Sequence, residues 1–392
     1  MINDNFFIIP DNIRKKYRDS FKSKKERNIF NFLKLYLKWL ESDNESFNRT
    51  ILCTNPLRMK DNKRYNKEFD LAIIQFLYQT IDKEFKSRKV SKAYKGEAYA
   101  YLGVGYEYGV FTLDKNPTKA FESYEISAQL SNAIGTFRLA QCFEKGLGVC
   151  VSSEKALSFY RCAAKLGLCE ALHLFGLATC QGYVGAVRDE NTGYYYLKMA
   201  VKKADRLCPY PLYDMGLFYS KGENDCGISE DQKFAIENFE KGAELGDPNC
   251  KFRLGQLYEF GDLLCKKNRE MAVQYYLEAA NAGQIEAQYI ISEYYLTGRT
   301  NKIEKSYEKS FKWALAGATK GHANCAFKCG ESALTGTGTN KNILDALFWF
   351  KVAKSYGHAD ADSKINELEY KIAKMDGGAE VPNTCCYCLF GL

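Results

Sequence analysis

Three histidines and fifteen cysteines are the side chains in this 392-residue chain best suited to acid–base, nucleophilic or metal chemistry. Their spacing organises none of it. His322 and His358 each sit in Gly-His-Ala, and His173 lies among apolar residues in ALHLFG. None has a neighbouring carboxylate and nucleophile in sequence, so structural roles are expected for all three. Cys325 and Cys329, four apart, share one helix face, but no second pair at zinc-finger spacing joins them. The stretch LTGTGTNKN, Leu334 to Asn342, lacks a following Gly-Lys-Ser/Thr and a preceding strand, so it reads as a connecting loop rather than a phosphate cradle. The residues predict no enzyme, no metal and no cofactor.

The elements around these residues are helical. Only seven prolines occur, and 46% of the residues are hydrophobic, enough for a core. No apolar run approaches the roughly 18 residues of a membrane span; the nearest is LAIIQFLY, residues 71–78. Asp4 and Asp11 bracket the first apolar stretch, which argues against a secretory leader. The net charge of +7 is uneven: residues 1–95 hold 22 basic and 12 acidic side chains, leaving 33 and 36 for the rest. The densest basic run, Arg14 to Arg27, reads either as a patch for an anionic surface or as a solvated helix end. It lacks ordered aromatic platforms, so specific nucleic-acid binding is not expected.

Glycines recur at Gly109, Gly146, Gly182, Gly222, Gly261, Gly298 and Gly336, in steps of 37, 36, 40, 39, 37 and 38 residues. Six residues before each stands a small side chain: Gly103, Ala140, Gly176, Gly216, Gly255, Ser292 or Gly330. Three residues before it stands Tyr106, Phe143, Thr179, Tyr219, Tyr258, Tyr295 or Ala333. These offsets share one helix face, and the closing glycine suits a left-handed stop. A second helix follows, as in ALSFYRCAAKLG from Ala156 or AVQYYLEAANAG from Ala272, with small and large residues at offsets 0, 4, 7 and 8. Each unit is a helix–turn–helix that must stack on its neighbours to bury its apolar face.

The pattern A-x-x-x-L-G-x-x-Y-x-x-G, a loop, then A-x-x-W/Y-Y/F-x-x-A-A-x-x-G resembles the Sel-like repeat family. The resemblance implies an all-α fold, a right-handed α-solenoid of tetratricopeptide-like pairs whose concave face is built from the first helices. The expected division is a basic helical region with a cap over 1–95, seven repeats over 96–358, a capping helix over 359–375 and a flexible tail over 376–392. Amphipathic stretches at 25–41 and 66–88 read either as the N-terminal cap or as a decayed repeat. The irregularities narrow the resemblance. The spacer from Ala200 to Gly222, with Pro209 and Pro211, and the Tyr-Leu-Thr-Gly ending at Gly298 resemble fungal chitin synthase activator proteins. That likeness implies a non-enzymatic, cytoplasmic regulator that binds a membrane-embedded chitin synthase and works peripherally at the plasma membrane or site of wall growth. A general scaffold or adaptor of the same repeat family is the alternative.

The likeness also directs the choice of contact residues. Arg138, Gln141, Arg253, Gln256, Glu293, Lys328 and Glu331 flank the small residue of their first helices and suit a polar peptide, though each also reads as an ordinary solvated position. The array's cysteines show no pair repeated at one register, so they read as reduced small hydrophobes. Cys385, Cys386 and Cys388 in the terminal TCCYCLFGL stand apart as candidates for S-acylation, or as thiols on a frayed tail. The relatives' prenylation box would need cysteine fourth from the end, where this chain has Leu389.

Overall fold

The computed structural model describes residues 29–31, 33, 71, 73–81, 92–221, 228–298 and 303–376. From Lys92 onward these residues form fifteen helices and no β-strand. Seven successive pairs are α1 Lys92–Tyr108 with α2 Pro117–Gln129, α3 Ala133–Lys145 with α4 Ser153–Lys165, α5 Cys169–Gln181 with α6 Glu190–Lys203, α7 Pro211–Lys221 with α8 Gln232–Leu245, α9 Pro248–Phe260 with α10 Arg269–Asn281, α11 Ile285–Thr297 with α12 Tyr307–Thr319, and α13 Ala323–Thr335 with α14 Ile343–Ser355. Helix α15, Ala361–Asp376, follows the last pair. The fold is an all-α solenoid, as the repeat pattern predicts. It divides into two compact units between Glu230 and Asp231, inside the fourth pair.

Short polar signals set each element. Every second helix begins behind an extended Asn, Asp or Ser: Asn116, Ser152, Asp189, Asp231, Asn268, Ser306 and Asn342. Each side chain accepts a backbone N–H of the first turn, a cap worth about 1 kcal/mol. In six of the seven, all but Asp231, the cap's own backbone N–H is seen to tie back to the first helix, as Asn116 to the Tyr106 carbonyl and Asn268 to that of Tyr258, both at 2.8 Å. The first helices α3, α5, α9, α11 and α13 end on the expected glycines, all left-handed with φ from 64° to 80°.

Within a pair, the small residue of the first helix receives the large residue at offset 4 of the second. A Cβ added at Gly103 would lie 2.5 Å from the Tyr124 ring, one at Gly255 2.7 Å from Tyr276, and one at Gly330 2.8 Å from Phe350. Gly176 meets Leu197 in the same way, at 2.8 Å. The sixth pair inverts the sizes: Ser292 replaces glycine, Ala314 replaces the aromatic, and the Ser310 hydroxyl donates to the Ser292 carbonyl at 2.9 Å. Tyr124, Tyr276 and Phe350 are completely buried, so these contacts form the core.

The buried tyrosines carry a polar companion that the repeat reading does not anticipate. The Tyr124 hydroxyl donates to Glu107 at 2.6 Å, Tyr160 to Glu144, and Tyr276 to Glu259 at 2.7 Å. Each glutamate stands two residues before the closing-glycine position. Where the offset-4 residue is Leu197, Phe239, Ala314 or Phe350, that position holds Cys180, Ser220, Leu296 or Leu334. Carboxylate and hydroxyl therefore occur together or not at all. Desolvation and the adjacent carboxylate push all three phenols far above their usual range.

In the first unit, Phe30, Leu33, Ile73, Ile74 and Leu77 are buried in the same core as the first two pairs. Phe30 stacks on Tyr94 and Tyr101, with centroids 5.6 and 6.0 Å apart. In the second unit, Ala361, Ile365 and Leu368 of α15 bury against the last pair. The basic run and the terminal cysteines lie outside the described residues.

A thermal-denaturation cycle tests the tyrosine–glutamate rule. Tyr160→Phe alone should cost about 1.5–3 kcal/mol, the range for a hydrogen bond to a charged group. Glu144→Leu with Tyr160→Phe, which copies the seventh pair, should recover most of it. Equal losses in the single and double variants would show the pairing to be incidental.

Candidate functional site

The packing positions of the first helices are committed to the core, which leaves the residues eight and five before the closing glycine as the variable columns. In the first unit these include Arg138 and Gln141. The Arg138 guanidinium donates to the Gln141 amide oxygen at 3.2 Å and reaches the Tyr108 hydroxyl at 3.5 Å. Desolvation draws its pKa below the usual arginine range, opposed by the charge of Glu170. A guanidinium held this way, with little water, suits a partner's carboxylate.

The second unit repeats the arrangement. Arg253 donates to Gln256 at 3.3 Å and to Asp262 at 3.4 Å. Its Nε is buried with no hydrogen-bond partner among the described residues. Glu293 and Lys328, from successive pairs, form an ion pair, and the Lys328 ammonium lies 5.8 Å from the Tyr289 ring centroid. Lys328 is buried, only 7% exposed. It joins α11 to α13 and is not offered to solvent, whereas Glu331 is exposed.

The histidines sit in the same faces. His173 is buried, and its Nε2 lies 2.6 Å from Asp214 Oδ2, a carboxylate 41 residues later. Spacing along the chain gave no sign of this pair; it emerges only when repeats are aligned, since Asp214 occupies the Arg138 column. His322 caps α13: its Nδ1 accepts the Cys325 N–H at 3.1 Å, so its Nε2–H donates to Glu286 at 3.1 Å. The His358 ring stacks on Phe327 with centroids 4.0 Å apart.

Among the described cysteines, Cys142, Cys169, Cys180, Cys208, Cys250, Cys325 and Cys329 are buried. Cys150 and Cys162 are exposed, which differs from the reading of the array's cysteines as packing residues: Cys150 lies in the α3–α4 loop, and Cys162 on the uncovered side of α4. Burial pushes the Cys142 and Cys325 thiols up to about 12 and raises that of Cys329 well above its usual range. No group of three or more His, Cys, Asp or Glu among the described residues is placed to hold a metal. A groove of about 490 Å³ beside α8 and α10 is lined by Glu240, Glu244, Glu278 and Tyr275 and brings no histidine or cysteine to them. The loop at Leu334 to Asn342 joins α13 to α14, as expected.

The Sel1 repeat family matches seven consecutive stretches: 96–132, 133–168, 170–205, 212–247, 248–284, 285–322 and 323–358. Chitin synthase regulator SKT5 of Saccharomyces cerevisiae is 30% identical over 334 residues, covering 84% of this chain and 46% of that protein. Chitin synthase regulatory factor 3 of Schizosaccharomyces pombe is 27% identical over 271 residues, 69% of this chain and 29% of its own. The chain thus spans less than half the length of these relatives. A Sel1 repeat protein from Oxalobacter formigenes shares the fold, with a TM-score of 0.57 at 20% identity over 83% of this chain and 93% of its own.

Native thiol labelling checks the cysteine burial. Maleimide should modify Cys150 and Cys162 rapidly and leave Cys142, Cys325 and Cys329 unmodified until denaturant is added. Mutational stability should separate the polar columns as well. Lys328→Ala should lose about 1–3 kcal/mol by stranding Glu293, and Glu331→Ala should stay within about 0.5 kcal/mol.

Proposed function

This chain belongs to the Sel1-repeat family, among the chitin synthase regulators, and on that premise we propose that it is a non-enzymatic activator and targeting factor for a membrane-embedded chitin synthase. The observation that carries the reading is the similarity to SKT5 across 84% of the chain, beside seven consecutive Sel1 repeats. No described helix is long and apolar enough to cross a membrane, so the chain would reach its partner from the membrane's face. Cys385, Cys386 and Cys388 would hold it there through acyl chains, with the basic run Arg14 to Arg27 against anionic headgroups.

The first-helix faces are the proposed contact surface. In the first unit Arg138 with Gln141, and in the second Arg253 with Gln256, present the same Arg-Gln pair at one register. Each holds a fork of donors for a carboxylate or backbone carbonyl of an extended segment. Within the second unit, Glu293 and Glu331 would receive basic groups of the segment that Arg253 holds, while Lys328 supports Glu293 from beneath. Activation follows if the face binds the active form of the synthase more tightly than the resting form, since a regulator shifts an equilibrium only by its differential affinity.

Affinity capture of the full chain co-expressed with the synthase tests this. The wild type should retain the synthase and raise cellular chitin. Arg138→Gln or Arg253→Gln should weaken capture about ten-fold, as loss of charge at a desolvated contact does, in variants whose circular dichroism matches the wild type. Absence of both capture and chitin increase for the wild type would overturn the reading. Capture unaffected by either arginine would reject the surface and leave the partner.

A further inference from the structure

We propose that the α9–α10 loop, Phe260 to Arg269, is a membrane-inserting loop that takes an anionic phospholipid surface. Phe260 is 70% exposed and Leu264 65%, although the rest of the pair buries its large apolar residues. Lys266, Lys267 and Arg269 beside them are exposed and make no ion pair with any described residue. Of the nearby acids, Asp262 is turned to Arg253 at 3.4 Å, Glu270 lies in the first turn of α10, where the helix N-terminus offsets its charge, and Glu240 of α8, whose charge is felt at Cys265, makes no ion pair with the three cations. Two apolar side chains ringed by three uncommitted cations match the headgroup–acyl boundary, where apolar groups sink and Lys or Arg heads stay with phosphates.

The exposure is built into the turn. Leu263 is held at φ 53°, a conformation unfavourable for a leucine, while the Asp262 carboxylate accepts the Leu263 N–H at 2.8 Å. The Gly261 and Asp262 N–H groups both return to the Leu257 carbonyl, and Asn268 N–H to that of Tyr258. A turn fixed at both ends presents Phe260 and Leu264 without loss of order on binding. The side chains protrude from a turn, so a protein partner would need a preformed cleft, whereas a bilayer accepts them as they stand.

A second observation comes from the other unit. Val187, 87% exposed, and Val151, 63%, occupy the same inter-helix loop of their own pairs. Together with Phe260 and Leu264 they are the four most exposed aliphatic or phenylalanine side chains among the described residues. Large apolar exposure therefore recurs around the inter-helix loop of three pairs, five residues after the closing glycine at Val151 and Val187 and within three of it at Phe260 and Leu264. The inference rests on these loops and not on the identity of the synthase partner.

Vesicle flotation and fluorescence of the full, unlipidated chain test it. Vesicles containing phosphatidylserine should float the protein, and those of phosphatidylcholine alone should float much less. Phe260→Ser with Leu264→Ser should weaken binding about ten-fold, and Lys266→Glu with Lys267→Glu by a similar factor, both with wild-type melting curves. Phe260→Trp should gain a blue-shifted emission quenched by lipids brominated along the acyl chain. The deciding result is that quenching: if brominated lipid leaves the added emission of the Phe260→Trp variant unmoved, the proposal is overturned, whatever other segments contribute to flotation. Loss on charge reversal with no effect of the serine pair would likewise overturn insertion, leaving electrostatic adsorption or an acidic protein partner.

Discussion

Each pair depends on the close approach of its two helices, and one contact sets that approach. Where Gly103, Gly176, Gly255 or Gly330 lacks a side chain, Tyr124, Leu197, Tyr276 or Phe350 fills the space against the backbone. The sixth pair makes the constraint visible by inverting it, with Ser292 opposite Ala314. Both residues of the contact change at once there, and the ring gives way to a hydrogen bond from the Ser310 hydroxyl to the Ser292 carbonyl. A repeat can therefore drift in sequence provided both helices drift together.

That contact also explains the buried carboxylates. A tyrosine is large enough to cover the glycine, but its hydroxyl then enters a dry region where an unmade hydrogen bond is costly. Glu107, Glu144 and Glu259 answer this from the far end of the first helix. Burial raises the pKa of Glu107, while the Tyr124 and Tyr108 hydroxyls oppose the rise. With phenylalanine or leucine in the tyrosine's place there is no hydroxyl to satisfy, and the acid is absent too.

Much of this was legible before any coordinates. The closing glycines, the small residues six before them and the second-helix stripe share a fixed register, and period alone identifies the stacking. The N-terminal caps leave a weaker mark: Asn, Asp or Ser precedes every second helix, but these residues are common in loops of every kind. The tyrosine–glutamate rule needed two columns read jointly. His173 and Asp214 were beyond reach because the pair joins different repeats across 41 residues, and neither column is uniform. The division at Glu230 had only an indirect signal, the longer steps of 40 and 39 residues around Gly222.

The columns left free by packing behave differently along the array, and the difference bears on recognition. Eight and five before the glycine, the first pair has Tyr101 and Val104, both completely buried. Phe30 and Leu33 belong to the same core, so there these columns are interior. In later pairs the same columns hold Arg138 and Gln141, Leu174 and Leu177, Arg253 and Gln256, or Lys328 and Glu331. A packing register fixed by glycine permits almost any residue at these two positions. Part of what selects them lies inside the chain: the preceding helices at the start of the array, and later the neighbouring repeats, where Asp214 meets His173 and Lys328 meets Glu293. Arg with Gln recurs in two separate units with the same guanidinium-to-amide hydrogen bond, a pairing that the glycine register does not itself require.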